Sequence, residues 1–141
     1  MPLTVKKIVL WRSEVENKPG ALAGILEPPA TAGADFKVVM GYRHGAATGG
    51  AVIEVYPVAG KKQGAAAGAA GLSASAIPAL LVEGRDRPGL GCAIAQSLSA
   101  AGINIAFFMA QVIGKNFAAV IGFESEADAK KAAPAIKRAA K

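Results

Sequence analysis

Two short stretches of the chain combine residue types that can bind a charged small molecule. "ENKPGAL" occupies residues 16–22, and "RDRPGLG" occupies residues 85–91, at an offset of 69 positions (88 − 19 = 69). Each places a polar residue, a cation, Pro and Gly before a run of small residues that is typical of a helix. Backbone N–H groups at a helix N-terminus have no acceptor within the helix, and Gly lets a ligand approach them closely. The stretches are therefore either two structural turns or two anion-binding loops.

Both stretches open a longer internal repeat. At the same offset, "NKPGALAGILEPPATAGADF" and "DRPGLGCAIAQSLSAAGINI" align for twenty residues without a gap. Identity is modest, but Pro19, Gly20, Ile25, Ala32 and Gly33 all recur in the second copy. A repeat of this length predicts two similar structural units, which we place at residues 1–75 and 76–141.

The hydrophobic pattern predicts the same order of elements in each unit. In the first copy, residues 5–15 form a strand, a helix begins after Gly20, and two strands joined by a Gly-rich hairpin precede a second helix. Since Pro inside a helix costs ~3 kcal/mol, we expect Pro28 and Pro29 to bend or end the first helix near Glu27. This order predicts an α+β fold with antiparallel sheets that helices cover on one face. A fourth strand is not evident in either copy, so each sheet is expected to be incomplete.

Composition and charge narrow the class of protein. The chain has 141 residues and a net charge of +6, and no stretch approaches the ~20 consecutive apolar residues of a membrane span. The single cysteine, Cys92, cannot form an internal disulfide, which fits a reducing compartment. We therefore expect a cytoplasmic protein, and the lack of a long apolar stretch predicts that it has no membrane partner. Many of the cations lie in the Ala-rich segment after residue 129, where they suit the C-terminal end of a solvated helix. We therefore do not expect a nucleic-acid partner.

Competing motifs provide no catalytic machinery. "GLGCAI" lacks the loop spacing and the acidic residue of a dinucleotide fingerprint, and "GKKQG" lacks the spacing and hydroxyl residue of a phosphate-binding P-loop. The single histidine, His44, stands apart from any Cys or acidic cluster. Cys92 follows a helix start but has no His or acid placed beside it in the sequence. We expect no enzyme activity, no cofactor and no metal site.

The repeated loop and helix resemble the opening of ACT domains, small βαββαβ regulatory modules that bind amino acids. The resemblance rests on the Asn or Asp, the Pro-Gly, the helix and the "GAD" or "GIN" that begins the next strand. It implies two tandem ferredoxin-like repeats and a non-catalytic protein that senses a small amino acid. The implied contacts are a carboxylate seated on the backbone N–H groups and an ammonium held by Asp86 or, more weakly, by Asn17. The residues assigned to binding are Asn17, Gly20, Ala21, Leu22, Asp86, Pro88, Gly89, Leu90, Gly91 and Asn104.

Two alternatives remain open on the sequence alone. Asn17 and Asp86 could simply cap the two helices, with the glycines serving only a tight turn. The protein could then be a ferredoxin-like structural or interaction module, for protein or RNA, without a small ligand. In either case the missing strands leave unpaired sheet edges, and a homodimer with interface strands from both repeats would cover them.

Overall fold

The first strand of the chain is where the structure departs most from the sequence prediction. In this computed structural model, which describes residues 2–44 and 49–140, two strands replace the single one predicted over residues 5–15. They are β1 (Thr4–Ile8) and β2 (Trp11–Glu16), and they pair in different sheets. The prediction is wrong because apolar residues continue through Val9 and Leu10. The hydrophobic pattern therefore does not show where the chain passes from one sheet to the other.

Residues 9–75 form one unit. Its elements after β2 are α1 (Ala21–Thr31), β3 (Val38–His44), β4 (Gly50–Tyr56), α2 (Gly60–Ala69) and β5 (Ser73–Ala74). The strands are antiparallel in the order β3-β4-β2-β5. Both helices and one face of the sheet contribute to the core, whose buried members are Ile25, Ile53, Val55, Ala67 and Leu72.

The other unit joins residues 1–8 to residues 76–141. Its elements besides β1 are β6 (Ala79–Arg85), α3 (Leu90–Ala100), β7 (Ile105–Ile113), β8 (Asn116–Phe123) and α4 (Glu126–Ala139). The order is β1-β6-β8-β7, and β1 runs antiparallel to β6 with Thr4 opposite Glu83. Its core includes Leu3 from the N-terminal segment together with Leu80, Val82, Leu90, Ile94 and Leu98.

Each sheet is thus four-stranded, and the expectation of missing strands is wrong. The fold is α+β, with two ferredoxin-like repeats whose antiparallel sheets carry two helices each. In the first repeat the last strand, β5, has only two residues and escapes a search for hydrophobic alternation. In the second repeat the fourth strand is β1, which precedes both copies of the repeat in sequence. The predicted range 1–75 therefore includes residues 1–8, which belong to the other unit.

The two helices after the binding loops correspond residue for residue. α1 (Ala21–Thr31) and α3 (Leu90–Ala100) both have 11 residues and begin 69 positions apart. We expected Pro28 and Pro29 to bend or end α1 near Glu27; an end there is wrong, since the helix continues through both prolines to Thr31. Pro29 is fully buried, so its packing compensates for the backbone hydrogen bonds that the two prolines cannot make.

Both ends of the last helix, α4, carry residues that favour a helix terminus. The Ser125 side chain accepts a hydrogen bond from the Asp128 backbone N–H at 3.1 Å, which caps α4. Glu126 and Asp128 lie in its first turn, and Lys137 and Arg138 in its last, as the helix dipole favours. None of the helices in the described ranges has the length and apolar character needed to span a membrane.

Candidate functional site

The two predicted loops have the same backbone geometry. The N–H groups of Asn17 and Asp86 donate to the backbone carbonyls of Gly49 and Lys115 respectively, each at 2.8 Å. Four residues after each of them, the N–H of Ala21 or Leu90 donates to the carbonyl of the loop cation, Lys18 or Arg87, at 3.2 Å in both copies. The sequence repeat therefore corresponds to a repeated loop conformation, fixed at the same points in each unit.

Glycine is required at the point where each loop becomes a helix. Gly20 and Gly89 are the N-cap residues and have φ of 85° and 80°, in the left-handed region that disfavours other residues. Neither helix has a side-chain cap hydrogen bond, so Asn17 and Asp86 do not cap the helices. The first-turn N–H groups of Gly91 and Cys92 have no acceptor one turn earlier within α3. The loop thus presents backbone donors beside the Asp86 carboxylate, which does not cap the helix.

An open cleft of about 110 Å³ lies beside the second loop. It is lined by Leu3, Arg85, Asp86, Arg87, Leu90 and Ala140. Leu3 and Leu90 are buried and form the apolar wall, whereas the three charged residues come from the loop itself. The cleft therefore combines an apolar wall with charges of both signs.

The charged groups of the cleft have different roles. Arg87 donates from Nη2 to the Ala139 backbone carbonyl at 2.6 Å, which ties the loop to the last turn of α4. Asp86 is half-buried, and no ion pair or side-chain hydrogen bond joins its carboxylate to another residue in the described ranges. Two guanidinium groups against one carboxylate give the cleft a positive balance. The arrangement suits a ligand that carries a carboxylate and an ammonium group together.

The structure brings some of the predicted binding residues together and leaves others apart. Asp86 and Leu90 line the cleft, while Pro88 and Gly89 in the loop and Gly91 in the first turn of α3 do not line it. Asn104 lies exposed just before β7. Sequence reasoning missed Leu3 and Ala140, which are distant in the chain, and it named neither arginine although both stand in "RDRPGLG".

The first loop differs in its surroundings. Asn17 and Gly20 are exposed, and Ala21 is half-buried. Leu22 is 44% exposed and lies beside β3, where its Cδ1 is 3.9 Å from the position that a Cβ on Gly41 would take. The counterpart of Leu22 in the second loop is Gly91, where an added Cβ would meet no atom within 4 Å. The second loop therefore has more room for a ligand than the first.

A second polar cluster, which sequence reasoning missed, lies within the sheet of the first repeat. Glu54 on β4 is fully buried, and its Oε2 accepts a hydrogen bond from the Tyr42 hydroxyl at 3.0 Å. Its Oε1 is 3.8 Å from Arg12 Nε, and neither atom has a hydrogen-bond partner among the residues that the structure describes. Burial raises the pKa of Tyr42 above its ordinary value, and the neighbouring Glu54 carboxylate raises it further. The stretch "AVIEVY" is mostly apolar, so the sequence does not indicate a buried carboxylate there. The cluster is recognised only from the pairing of the strands.

Cys92 and His44 are the other candidate groups that the sequence offers. Cys92 is exposed, and residues 2–44 and 49–140 contain no cluster of His, Cys, Asp and Glu that could hold a metal ion. The side chain of His44 falls outside the part of the chain that the structure describes. No catalytic arrangement emerges from the described residues.

Comparison with known proteins finds similarity in structure alone. No family model and no curated protein sequence matches the chain. The protein BT0572 from Bacteroides thetaiotaomicron has a similar structure, with a TM-score of 0.72, 15% identity, and coverage of 91% of this chain and 87% of that one. The ligand-free regulatory subunit of aspartate kinase from Thermus thermophilus has a TM-score of 0.65, 16% identity, and coverage of 99% and 97%.

A third similar structure belongs to a larger enzyme. Aspartate kinase from Clostridium acetobutylicum has a TM-score of 0.61 and 16% identity; the match covers 97% of this chain and 33% of the kinase. Likeness at such low identity concerns the fold. The fold agrees with the two repeats, the Pro-Gly loops and the helix-covered sheets described above. The chain therefore has the fold of a tandem ACT-domain protein, as the resemblance in its sequence implies.

Proposed function

We propose that the chain is a non-catalytic regulatory protein that binds a small amino acid at its Pro-Gly loops, with the second loop as the stronger site. The observation that carries this proposal is the cleft beside "RDRPGLG", where the Asp86 carboxylate, which has no ion-pair or hydrogen-bond partner among the described residues, lies among guanidinium groups and apolar side chains. The structural likeness to a regulatory subunit of aspartate kinase agrees with a regulatory role.

The proposed binding mode uses both ends of the amino-acid backbone. Asp86 accepts hydrogen bonds from the ligand ammonium. The ligand carboxylate binds to the N-terminal end of α3, where unpaired N–H groups and the helix dipole favour an anion, or to the guanidinium of Arg85. Leu3 and Leu90 contact the aliphatic part of the ligand. A small side chain fits a cleft of about 110 Å³.

A thermal-shift screen against the twenty amino acids tests the proposal. A ligand that binds only the native state raises its stability by about 2.7 kcal/mol at a concentration 100 times its Kd. At least one amino acid should raise the melting temperature in a concentration-dependent way. If none does so at millimolar concentration, the alternative of an interaction module without a small ligand becomes the better account.

A pair of equivalent variants then locates the site. Asp86→Ala removes a charged hydrogen-bond partner worth about 1.5–3 kcal/mol, so calorimetry should give about 10- to 100-fold weaker binding. Asn17→Ala, the same change 69 positions earlier, is the matched control and should have a smaller effect. A greater loss in Asn17→Ala would place the principal site in the first repeat.

We further propose that the protein acts as a homodimer. The sequence predicts interface strands in both repeats because a fourth strand is not evident in either copy. Both sheets are in fact four-stranded, so the homodimer proposal now depends on the unpaired outer edges of these sheets.

We also propose that the protein is cytoplasmic and that nucleic acid is not its partner.

A further inference from the structure

The cleft beside "RDRPGLG" has a positive charge that a neutral amino acid would leave unbalanced. Its charged lining residues are Arg85, Asp86 and Arg87, which set two cations against one anion. A guanidinium does not lose its proton in a protein, so this excess is present at every ordinary pH. A ligand with one ammonium and one carboxylate group adds no net charge. It therefore leaves one arginine of the cleft without a counter-ion.

The two arginines of the cleft have different contacts. Arg87 donates to the Ala139 backbone carbonyl at 2.6 Å, at the C-terminal end of α4, where the helix dipole favours a cation. Arg85 is exposed at the end of β6. Its guanidinium forms no ion pair or hydrogen bond with another residue in the described ranges. Arg85 is therefore the cation that can bind an anionic group of the ligand.

Further cations surround the cleft within the same unit. The Asp86 N–H donates to the Lys115 backbone carbonyl at 2.8 Å, so Lys115 lies beside the loop. Lys137 and Arg138 lie in the last turn of α4, close in sequence to Ala140, which lines the cleft. All three cations are exposed. Exposed charges of one sign around a cleft raise the local concentration of ligands of the opposite sign. The surroundings therefore favour an anionic ligand.

The first repeat lacks this excess of positive charge at the equivalent positions. Glu16 stands 69 positions before Arg85 (85 − 16 = 69), and Asn17 takes the place of Asp86. Glu16 Oε2 lies 3.9 Å from Lys18 Nζ, so the two charges of the first loop face each other. Both loops nevertheless have the same backbone hydrogen bonds. The conformation of the loop therefore does not require the arginine, and Arg85 serves another purpose.

We propose that the cleft selects an acidic amino acid, aspartate or glutamate, whose side-chain carboxylate pairs with Arg85. The inference rests on the proposed function and specifies the class of its ligand. The ligand ammonium binds to Asp86, and the α-carboxylate binds to the N-terminal end of α3. The second carboxylate accepts two parallel hydrogen bonds from the Arg85 guanidinium. The net negative charge of such a ligand balances the excess cation of the cleft.

Matched pairs of acidic and neutral ligands test the ligand class. Calorimetry compares L-aspartate with L-asparagine and L-glutamate with L-glutamine, because the members of each pair have nearly the same shape and differ in charge. The acidic member of at least one pair should bind about tenfold more tightly, or better. A smaller preference, or tighter binding of any neutral amino acid, overturns this inference and leaves the proposed function standing. Binding of no amino acid overturns both. Succinate, which has no ammonium for Asp86, should bind more weakly than aspartate, and tighter binding of succinate would also reject the inference.

Two variants test the contact with Arg85. Arg85→Gln removes the guanidinium and should reduce the preference for the acidic ligand over its amide to less than about threefold, while the affinity for the amide changes little. Lys137→Gln is the matched control, since Lys137 is an exposed cation of the same unit that does not line the cleft; it should keep the wild-type preference. Arg85 is exposed, so circular dichroism should show Arg85→Gln folded. The assignment of Arg85 is wrong if Arg85→Gln keeps the preference, or if Lys137→Gln loses it equally.

Discussion

A single added methyl group at Gly122 should destabilise the second repeat. Gly122 is buried on β8 and lies opposite Phe107 of β7. A Cβ on Gly122 would be 2.1 Å from Phe107 Cε2 and 2.4 Å from Cδ2, whereas ordinary contact begins at 3.4 Å. The ring would have to move by about 1.3 Å (3.4 − 2.1). Overpacking of this kind costs about 1–3 kcal/mol, which corresponds to a fall in melting temperature of roughly 4–12 °C for a chain of this size.

The assay is thermal unfolding of Gly122→Ala followed by circular dichroism. Gly24→Ala is the matched control: Gly24 lies in α1 with no atom within 4 Å of an added Cβ, so Ala should stabilise the helix by about 0.5–1 kcal/mol. Combining Gly122→Ala with Phe107→Ala should remove most of the additional cost, because the clashing ring is then absent. An unchanged melting temperature in Gly122→Ala would refute the packing argument.

Two further predictions concern the polar cluster and the N-terminal strand. The folded-state pKa of Tyr42 is raised above 10.0, so the tyrosine of the unfolded chain ionises first as the pH rises. The contribution of Tyr42 to the free energy of unfolding is therefore lost above pH 10. In denaturant titrations, Tyr42→Phe should be less stable than the wild type at neutral pH but should lose stability less steeply above pH 10. Leu3→Ala should lower the free energy of unfolding by about 2–4 kcal/mol, since Leu3 is buried in the core of the unit that contains β6. Backbone hydrogen exchange should become faster in β6. Equal acceleration in β4 would contradict the assignment of Leu3 to the unit of β6.

The sequence predicted those features that repeat locally. The 69-residue offset located both loops and both first helices, and the Pro-Gly pairs located the turns in which Gly20 and Gly89 have left-handed conformations. Of the cations assigned to the C-terminal end of the last helix, Lys137 and Arg138 lie in its last turn, whereas Lys130 and Lys131 lie in its first half. These features follow from spacing and from turn chemistry, which a single sequence shows directly.

The missed features depend on contacts between distant segments. Nothing within "TVKKI" tells which sheet it joins, and the two-residue β5 is too short to show alternation. The burial of Glu54 follows from its neighbours across the sheet, and the cleft depends on Leu3 meeting a loop more than 80 positions later. Tertiary packing also outweighed local preference at Pro28 and Pro29, which α1 includes without interruption.

The pairing of β1 with β6 has a consequence for vectorial synthesis. Thr4 and its partner Glu83 are 79 positions apart, and a ribosome that adds roughly 5–20 residues per second needs roughly 4–16 s to produce that interval. Residues 9–75 include every strand of their own sheet, so they can fold while the rest is still being made. Leu3 and Ile8, both buried in the finished protein, meanwhile have no strand to join. β1 thus leaves the ribosome well before its partner β6 and is among the last strands to be paired, and Leu3 and Ile8 lack their native neighbours during that interval.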